Sequence, residues 1–228
     1  MSEAPHVPLA SLPPAPRHAS EEEAVAAARA FTETMRTRHT IRDFSSEAVP
    51  RALIEEAVKT AGTAPSGANH QPWFFAVVES AEMKRRIREA AEEEERAFYG
   101  GKAGEEWLDA LAPIGTDADK PFLEHAPYLI VCFAQKRGGV EAGDDRKNYY
   151  VTESAGLACG MLLTSLHLSG LATLTHTPNP MKFLGEALGR PATEKALMIV
   201  VVGRPAADAG VPEHALKKKA LGDIMKMY

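Results

Sequence analysis

Apolar positions along the chain follow two rhythms, one of helical spacing and one of short, nearly continuous runs. Ser20 and Glu23 form a capping-box pair ahead of the Ala-rich stretch Ala24–Met35, which predicts a helix start. Pro50 opens a second helix that stops at Ala61-Gly62. Trp73–Glu79 is aromatic and β-branched and reads as a strand. Ser80 begins a strongly charged helix reaching about Tyr99, and a further helical piece surrounds Trp107. Tyr128–Ala134 is apolar throughout, as a strand buried on both faces requires. Tyr149–Leu168 is a long apolar helix ended by Gly170. Its Ala155, Gly156, Ala158 and Gly160 permit close helix approach, and its all-round apolarity suits a core or an interface. A third strand follows at Leu171–Thr175, then a helix from Pro180, then a fourth strand at Ala196–Val202.

Helices outnumber strands and separate them, which predicts an α+β sandwich of helices around a small central sheet. Residues 1–19 carry five prolines and no hydrophobic period and read as a mobile arm. Residues 20–228 then form a single domain, with 204–228 as a tail that holds Lys217-Lys218-Lys219. Thr63–Pro72, with two prolines and small side chains, is a loop.

Composition narrows the function classes. With 228 residues, 45% apolar and 25% charged, the chain has material for a sizeable core. A net charge of -5 without a basic block argues against nucleic acid. The longest apolar runs fall short of the roughly 20 residues of a spanning helix, and Met1–Pro16 has no leader pattern. The expectation is a soluble, cytoplasmic protein with no membrane partner. Cys132 and Cys159 lie separately in apolar segments and read as buried free thiols, and the scattered histidines signal no metal site.

Several motifs then coincide in order: Arg38-His39-Thr40-Ile41-Arg42-Asp43-Phe44, Ala64-Pro65-Ser66-Gly67-Ala68-Asn69-His70-Gln71-Pro72-Trp73, Thr173-Leu174-Thr175-His176-Thr177-Pro178, Leu188-Gly189-Arg190-Pro191, and Val202-Gly203 with Pro205. Taken singly each is bland. A lone Arg-x-x-x-Arg is more often a surface ion-pair cluster, and a Pro-Ser-Gly tripeptide is usually an unliganded turn. Two arginines flanking a hydroxyl residue nevertheless suit a phosphate, and small side chains let backbone N–H groups approach a planar ligand. Together the motifs resemble the nitroreductase superfamily over nearly the whole chain beyond the arm, and within it the iodotyrosine deiodinases.

The resemblance implies a nitroreductase-like α+β sandwich with a mixed central sheet, a C-terminal arm extending to a homodimer partner, and FMN at the dimer interface. It implies Arg38, His39, Thr40 and Arg42 as contacts to the FMN phosphate and ring edge, with His39 standing where the family commonly carries arginine. Pro65, Ser66 and Gly67 would line the flavin. Thr177 would donate to flavin N5, a lever favouring single-electron steps, with Thr175 and His176 as neighbouring flavin contacts. Lys218 would reach the phosphate as a point charge.

The substrate positions carry the finer resemblance. A glutamate run such as Glu92–Glu95 is usually a solvated face. Glu95 and Tyr99, however, are four apart and share a helical face. Counted from Trp107, which matches the family's lid tryptophan, Tyr99 lies eight residues before and Lys120 thirteen after. The resemblance implies that Glu95 takes the ammonium of a halotyrosine zwitterion, Lys120 with Tyr99 its carboxylate, and the Ala68 N–H its phenolate. The implied activity is FMN-dependent reductive dehalogenation, with an unidentified electron donor. A broad NAD(P)H-dependent nitro or quinone reductase, or a flavin-cleaving relative, is the competing expectation.

Overall fold

The computed structural model of the protein describes residues 6–228, apart from the Lys102 side chain; the first five residues of the expected arm lie outside the described residues. The chain divides into one unit ending at Thr37 and another running from Arg38 to Tyr228. In the first, a 3-10 turn at Leu9–Ser11 precedes helix α1, Glu21–Arg36, none of whose residues is buried. The Ser20 hydroxyl accepts from Glu23 N at 3.2 Å. The Glu23 carboxylate returns to Ala19 N at 2.9 Å, one residue earlier than a capping box requires.

The second unit is built on strands β1 (Trp73–Val78), β2 (Tyr128–Gln135), the short pair β3 (Arg137–Gly138) and β4 (Arg146–Lys147), β5 (Ala172–His176) and β6 (Glu194–Gly203). The main sheet runs β1-β2-β6-β5, every neighbouring pair antiparallel. The two runs apolar on both faces, β2 and β6, take the centre, with Ile130 opposite Val200. The parallel contribution that makes the sheet mixed is one bridge, Thr40 to Thr173, on the free edge of β5. There Ile41 N donates to Thr173 O at 3.1 Å, and beyond it Ser45 N donates to Arg204 O at 2.9 Å. These bonds stitch residues 40–45 along β5 and past the end of β6. Gly203 permits the approach, since a Cβ there would meet the Pro127 ring at 2.7 Å and Phe44 at 3.0 Å.

Helices α2 (Arg51–Gly62), α3 (Ala81–Ala97), α4 (Glu105–Leu111), α5 (Phe122–His125), α6 (Val151–Leu168) and α7 (Lys182–Ala187) cover the sheet, followed by single turns α8 (Glu213–Leu216) and α9 (Leu221–Ile224). Strand alternation divides the core into two layers. Leu129, Val131, Phe133, Ile199 and Val201 pack toward Ile87 of α3, Leu123 of α5 and Leu184 of α7. Ile130, Val200 and Val202 pack toward Ile54 and Ala61 of α2 and Leu162 and Leu166 of α6. Each fully buried Leu or Ile contributes on the order of 1.5–3 kcal/mol by leaving water. Cys132 and Cys159 share a third cluster with Ala134 and Ala155, and both are free thiols. Helix α6 buries Ala155, Ala158, Cys159 and Leu162, but leaves Leu157 and Leu168 exposed. Among the described residues no helix is long and apolar enough to cross a membrane.

Candidate active site

The carboxyl end of β5 sets the site. Alternation turns Thr175 and Thr177 outward as exposed side chains and buries His176 between them. The stitched segment beside β5 brings Arg42 to the same end. Facing them, the last turn of α3 supplies Glu95, and the five-residue π-helical turn Phe98–Lys102 continues it to Tyr99. Phe98 meets Tyr99 and Trp107 edge-on, with ring centroids 5.3 and 5.2 Å apart. This aromatic cluster ties α4 back over the site. Arg42, Glu95, Tyr99, Trp107, Lys120 and Thr175–Thr177 therefore line one cavity of about 500 Å3.

Inside it stands a buried ion pair, Lys120 Nζ to Glu95 Oε2 at 3.5 Å. Lys120 Nζ also donates to Thr116 Oγ1 at 3.1 Å and to the Asp117 carbonyl, and lies 5.6 Å from the Tyr99 ring centroid. Tyr99 OH donates to Thr116 O at 3.2 Å. Burial pushes the Glu95 carboxyl above its ordinary range, against the pull of Lys120. Burial likewise raises the Tyr99 phenol. Lys120 is positioned from behind: its amide donates to Glu92 Oε1 at 2.8 Å, and Arg88 clamps Glu92 Oε2 at 2.7 Å and Glu124 at 2.6 Å. The glutamate run thus divides its labour, with Glu92 as an anchor and Glu95 as a cavity charge. His176 packs edge-on against Phe122, centroids 5.5 Å apart. Burial, with Lys120 and Arg42 adding to it, lowers its pKa to about 3 and holds the ring neutral.

The loop before β1 is not part of this lining. Pro65, Ser66, Gly67 and Ala68 do not line this cavity. Ala68, Asn69 and Gln71 all adopt left-handed backbone, at φ 50, 55 and 50, a conformation that costs a non-glycine residue of order 1–3 kcal/mol. It is held by Gln71 N to Ser66 Oγ at 2.9 Å and Gly67 N to Ser154 Oγ at 3.4 Å. His70 Nδ1 lies 2.9 Å from Asn148 Oδ1, while Asn148 Nδ2 donates to Gln135 O at 2.8 Å. That orientation makes His70 the donor from Nδ1. Gly67 admits no side chain, since a Cβ would fall 2.8 Å from the Tyr149 carbonyl oxygen. The amides of Gly67, Asn69, His70 and Gln71 are all satisfied; among the described residues the Ala68 N–H has no partner.

Of the remaining expected contacts, Arg38, His39 and Thr40 are partly exposed and stay outside the cavity lining. Lys218 is exposed, with Nζ donating to Ala215 O at 2.5 Å. Sequence reasoning missed Glu92, Thr116, Asn148 and Ser154; only Glu92, inside a run already singled out, carried any signal.

The Nitroreductase family profile matches residues 35–204. An iodotyrosine deiodinase of Haliscomenobacter hydrossis is 49% identical over 207 residues, 91% of this chain and 92% of that protein. The chain belongs to the nitroreductase family, on its iodotyrosine deiodinase branch. Iodotyrosine deiodinase 1 of Homo sapiens is 41% identical over 96% of this chain and 74% of its own length. Among solved structures, oxidized iodotyrosine deiodinase bound to FMN and 3-iodo-L-tyrosine superposes with a TM-score of 0.68 at 33% identity, covering 78% of this chain and 90% of that one. The nitroreductase match encloses every candidate site residue except Lys218.

Proposed function

We propose that this chain is an FMN-dependent iodotyrosine deiodinase, replacing the carbon–halogen bond of a halotyrosine with carbon–hydrogen. The reaction takes up two electrons and one proton and releases tyrosine and halide. The observation that carries the reading is the buried Glu95–Lys120 pair beside Tyr99, at the mouth of the Thr175–Thr177 strand end. A zwitterion inserted between these two charges replaces one ion pair by two, so no net charge is buried. Glu95 receives the ammonium, and Lys120 with the Tyr99 hydroxyl receives the carboxylate. The Phe98–Trp107 cluster closes over the aromatic ring and excludes water.

The residues fit the cofactor. Among the described residues neither Arg38 nor Arg42 has a carboxylate partner, which leaves both forks available to a phosphate. Arg38, Arg42, Thr40 and Lys218 would hold the phosphate end of FMN, and Pro65–Gly67 would line its ring. FMN when bound supplies the electrons. The exposed hydroxyl of Thr177 would be the donor to the flavin ring, and the unpartnered Ala68 N–H would be the donor for the phenolate. The strained Ala68 loop supports that role, since backbone held in sparsely populated conformations is concentrated at functional sites. Two copies form the working unit, joined through exposed apolar residues that include Leu157, Tyr149 and Tyr150.

The test is a flavin-fluorescence titration of the purified yellow protein. 3-Iodotyrosine is expected to bind at least tenfold more tightly than tyrosine, and Glu95→Gln to weaken 3-iodotyrosine binding at least tenfold. Equal affinity for both, with turnover of nitroaromatics by NAD(P)H, would instead make the chain a broad nitroreductase.

A further inference from the structure

His176 is turned away from its two threonine neighbours. It sits between two threonines that face outward, and strand geometry therefore turns its ring to the opposite side, toward Phe122 and the Lys120 end of the cavity. The residue is only 9% exposed, and among the described residues its buried Nε2 has no hydrogen-bond partner. A buried polar atom lacking a partner is rare in a folded protein and calls for a ligand or a trapped group. The surroundings say which kind. Lys120 and Arg42 both act on the ring as positive charges; once a ligand ammonium takes Glu95 from Lys120, the space the ring faces favours an anion. A neutral imidazole with its proton on Nε2 donates one hydrogen bond to such a group without adding a third cation.

We infer that His176 is a specificity-determining residue of the substrate pocket, donating from Nε2 to the carboxylate of the amino-acid ligand alongside Lys120. The inference rests on the halotyrosine reading above. It changes what the strand end does: Thr175 and Thr177 serve the flavin side and His176 serves the substrate side.

Two variants separate this role from packing. His176→Phe keeps a flat ring against Phe122 and removes the donor, while His176→Gln keeps a side-chain donor. With FMN-loaded protein, His176→Phe is expected to weaken 3-iodotyrosine binding about tenfold, to leave 3-iodotyramine (no carboxylate) within twofold of its unmodified value, and to leave FMN affinity unchanged. His176→Gln is expected to recover most of the lost affinity. In the unmodified protein with 15N-labelled histidine, one imidazole N–H resonance should move downfield on adding 3-iodotyrosine. A loss under twofold for 3-iodotyrosine, an equal loss for 3-iodotyramine, a drop in FMN affinity, or no shifted imidazole resonance each overturns the inference. Failure of the unmodified protein to prefer 3-iodotyrosine over tyrosine overturns the deiodinase reading itself, and this inference with it.

Discussion

The two layers on either side of the sheet are built to different rules. Between the sheet and α2/α6 the core is dry, with Ile54, Ala61, Leu162, Leu166 and Val200 filling it and the two free thiols adjoining. On the α3/α5/α7 side the same strands, one residue out of phase, carry Leu129, Val131 and Ile199, but that layer opens at its end onto Glu95, Lys120 and His176. One layer gains stability from complete apolar burial. The other keeps a buried ion pair and an unpartnered imidazole, features that cost stability unless a ligand uses them. The contrast locates function within a fold whose strands feed both faces alike.

The largest expected effect comes from breaking the ion pair. Lys120→Met leaves Glu95 without its cation, and removal of one partner from a buried pair costs on the order of 3–5 kcal/mol. Because the Glu95 carboxyl is already raised by burial, protonation will absorb part of that loss. Isothermal titration should show 3-iodotyrosine affinity falling by at least a hundredfold. On the dry side, Leu162→Ala should lower stability by about 2–5 kcal/mol through cavity formation, read as a shifted denaturation midpoint, while the 3-iodotyrosine to tyrosine preference stays intact. An equal loss of preference in both variants would dissolve the distinction between the layers.

A smaller effect sharpens it. Asn148→Ala removes the acceptor of His70 and the tie to Gln135, at an expected cost of about 1–3 kcal/mol in loop order. Ligand affinity should fall several-fold for 3-iodotyrosine and 3-iodotyramine alike, since the phenolate site is shared.

A separate effect appears in acid. His176 binds its proton near 3 in the folded chain and near 6.5 unfolded, so between those values the unfolded state holds more protons. Stability should therefore fall as pH drops from 6.5 toward 3, by at most ~1.4 kcal/mol per unit. His176→Phe should flatten that slope by up to one proton in a pH series of denaturant melts.

Much of this was legible from residues alone. The continuous apolar run of β2 announced a strand buried on both faces, whereas β6 was readable only as a strand. Glu95 and Tyr99 were readable because four residues on a helix return to one face, although Tyr99 proved to lie in the π-helical turn beyond α3. Proximity across the fold was not legible. Nothing near Lys120 in sequence reveals Glu92 beneath its amide, 28 positions away, nor His70 pairing with Asn148 at a separation of 78. The β3–β4 hairpin escaped because two-residue strands carry no period. The burial of His176 between two exposed threonines was not legible either, because a motif reads residues in order, whereas a strand deals them to alternate faces.

The most direct measurement of the central claim is iodide release under anaerobic conditions. The FMN-loaded protein is reduced chemically, mixed with 3-iodotyrosine, and iodide and tyrosine are quantified against flavin reoxidation. One iodide and one tyrosine are expected per two electrons, with Glu95→Gln losing most of that turnover at sub-saturating substrate. Flavin that stays reduced in the presence of 3-iodotyrosine, yet is reoxidised promptly by a nitroaromatic, would contradict it.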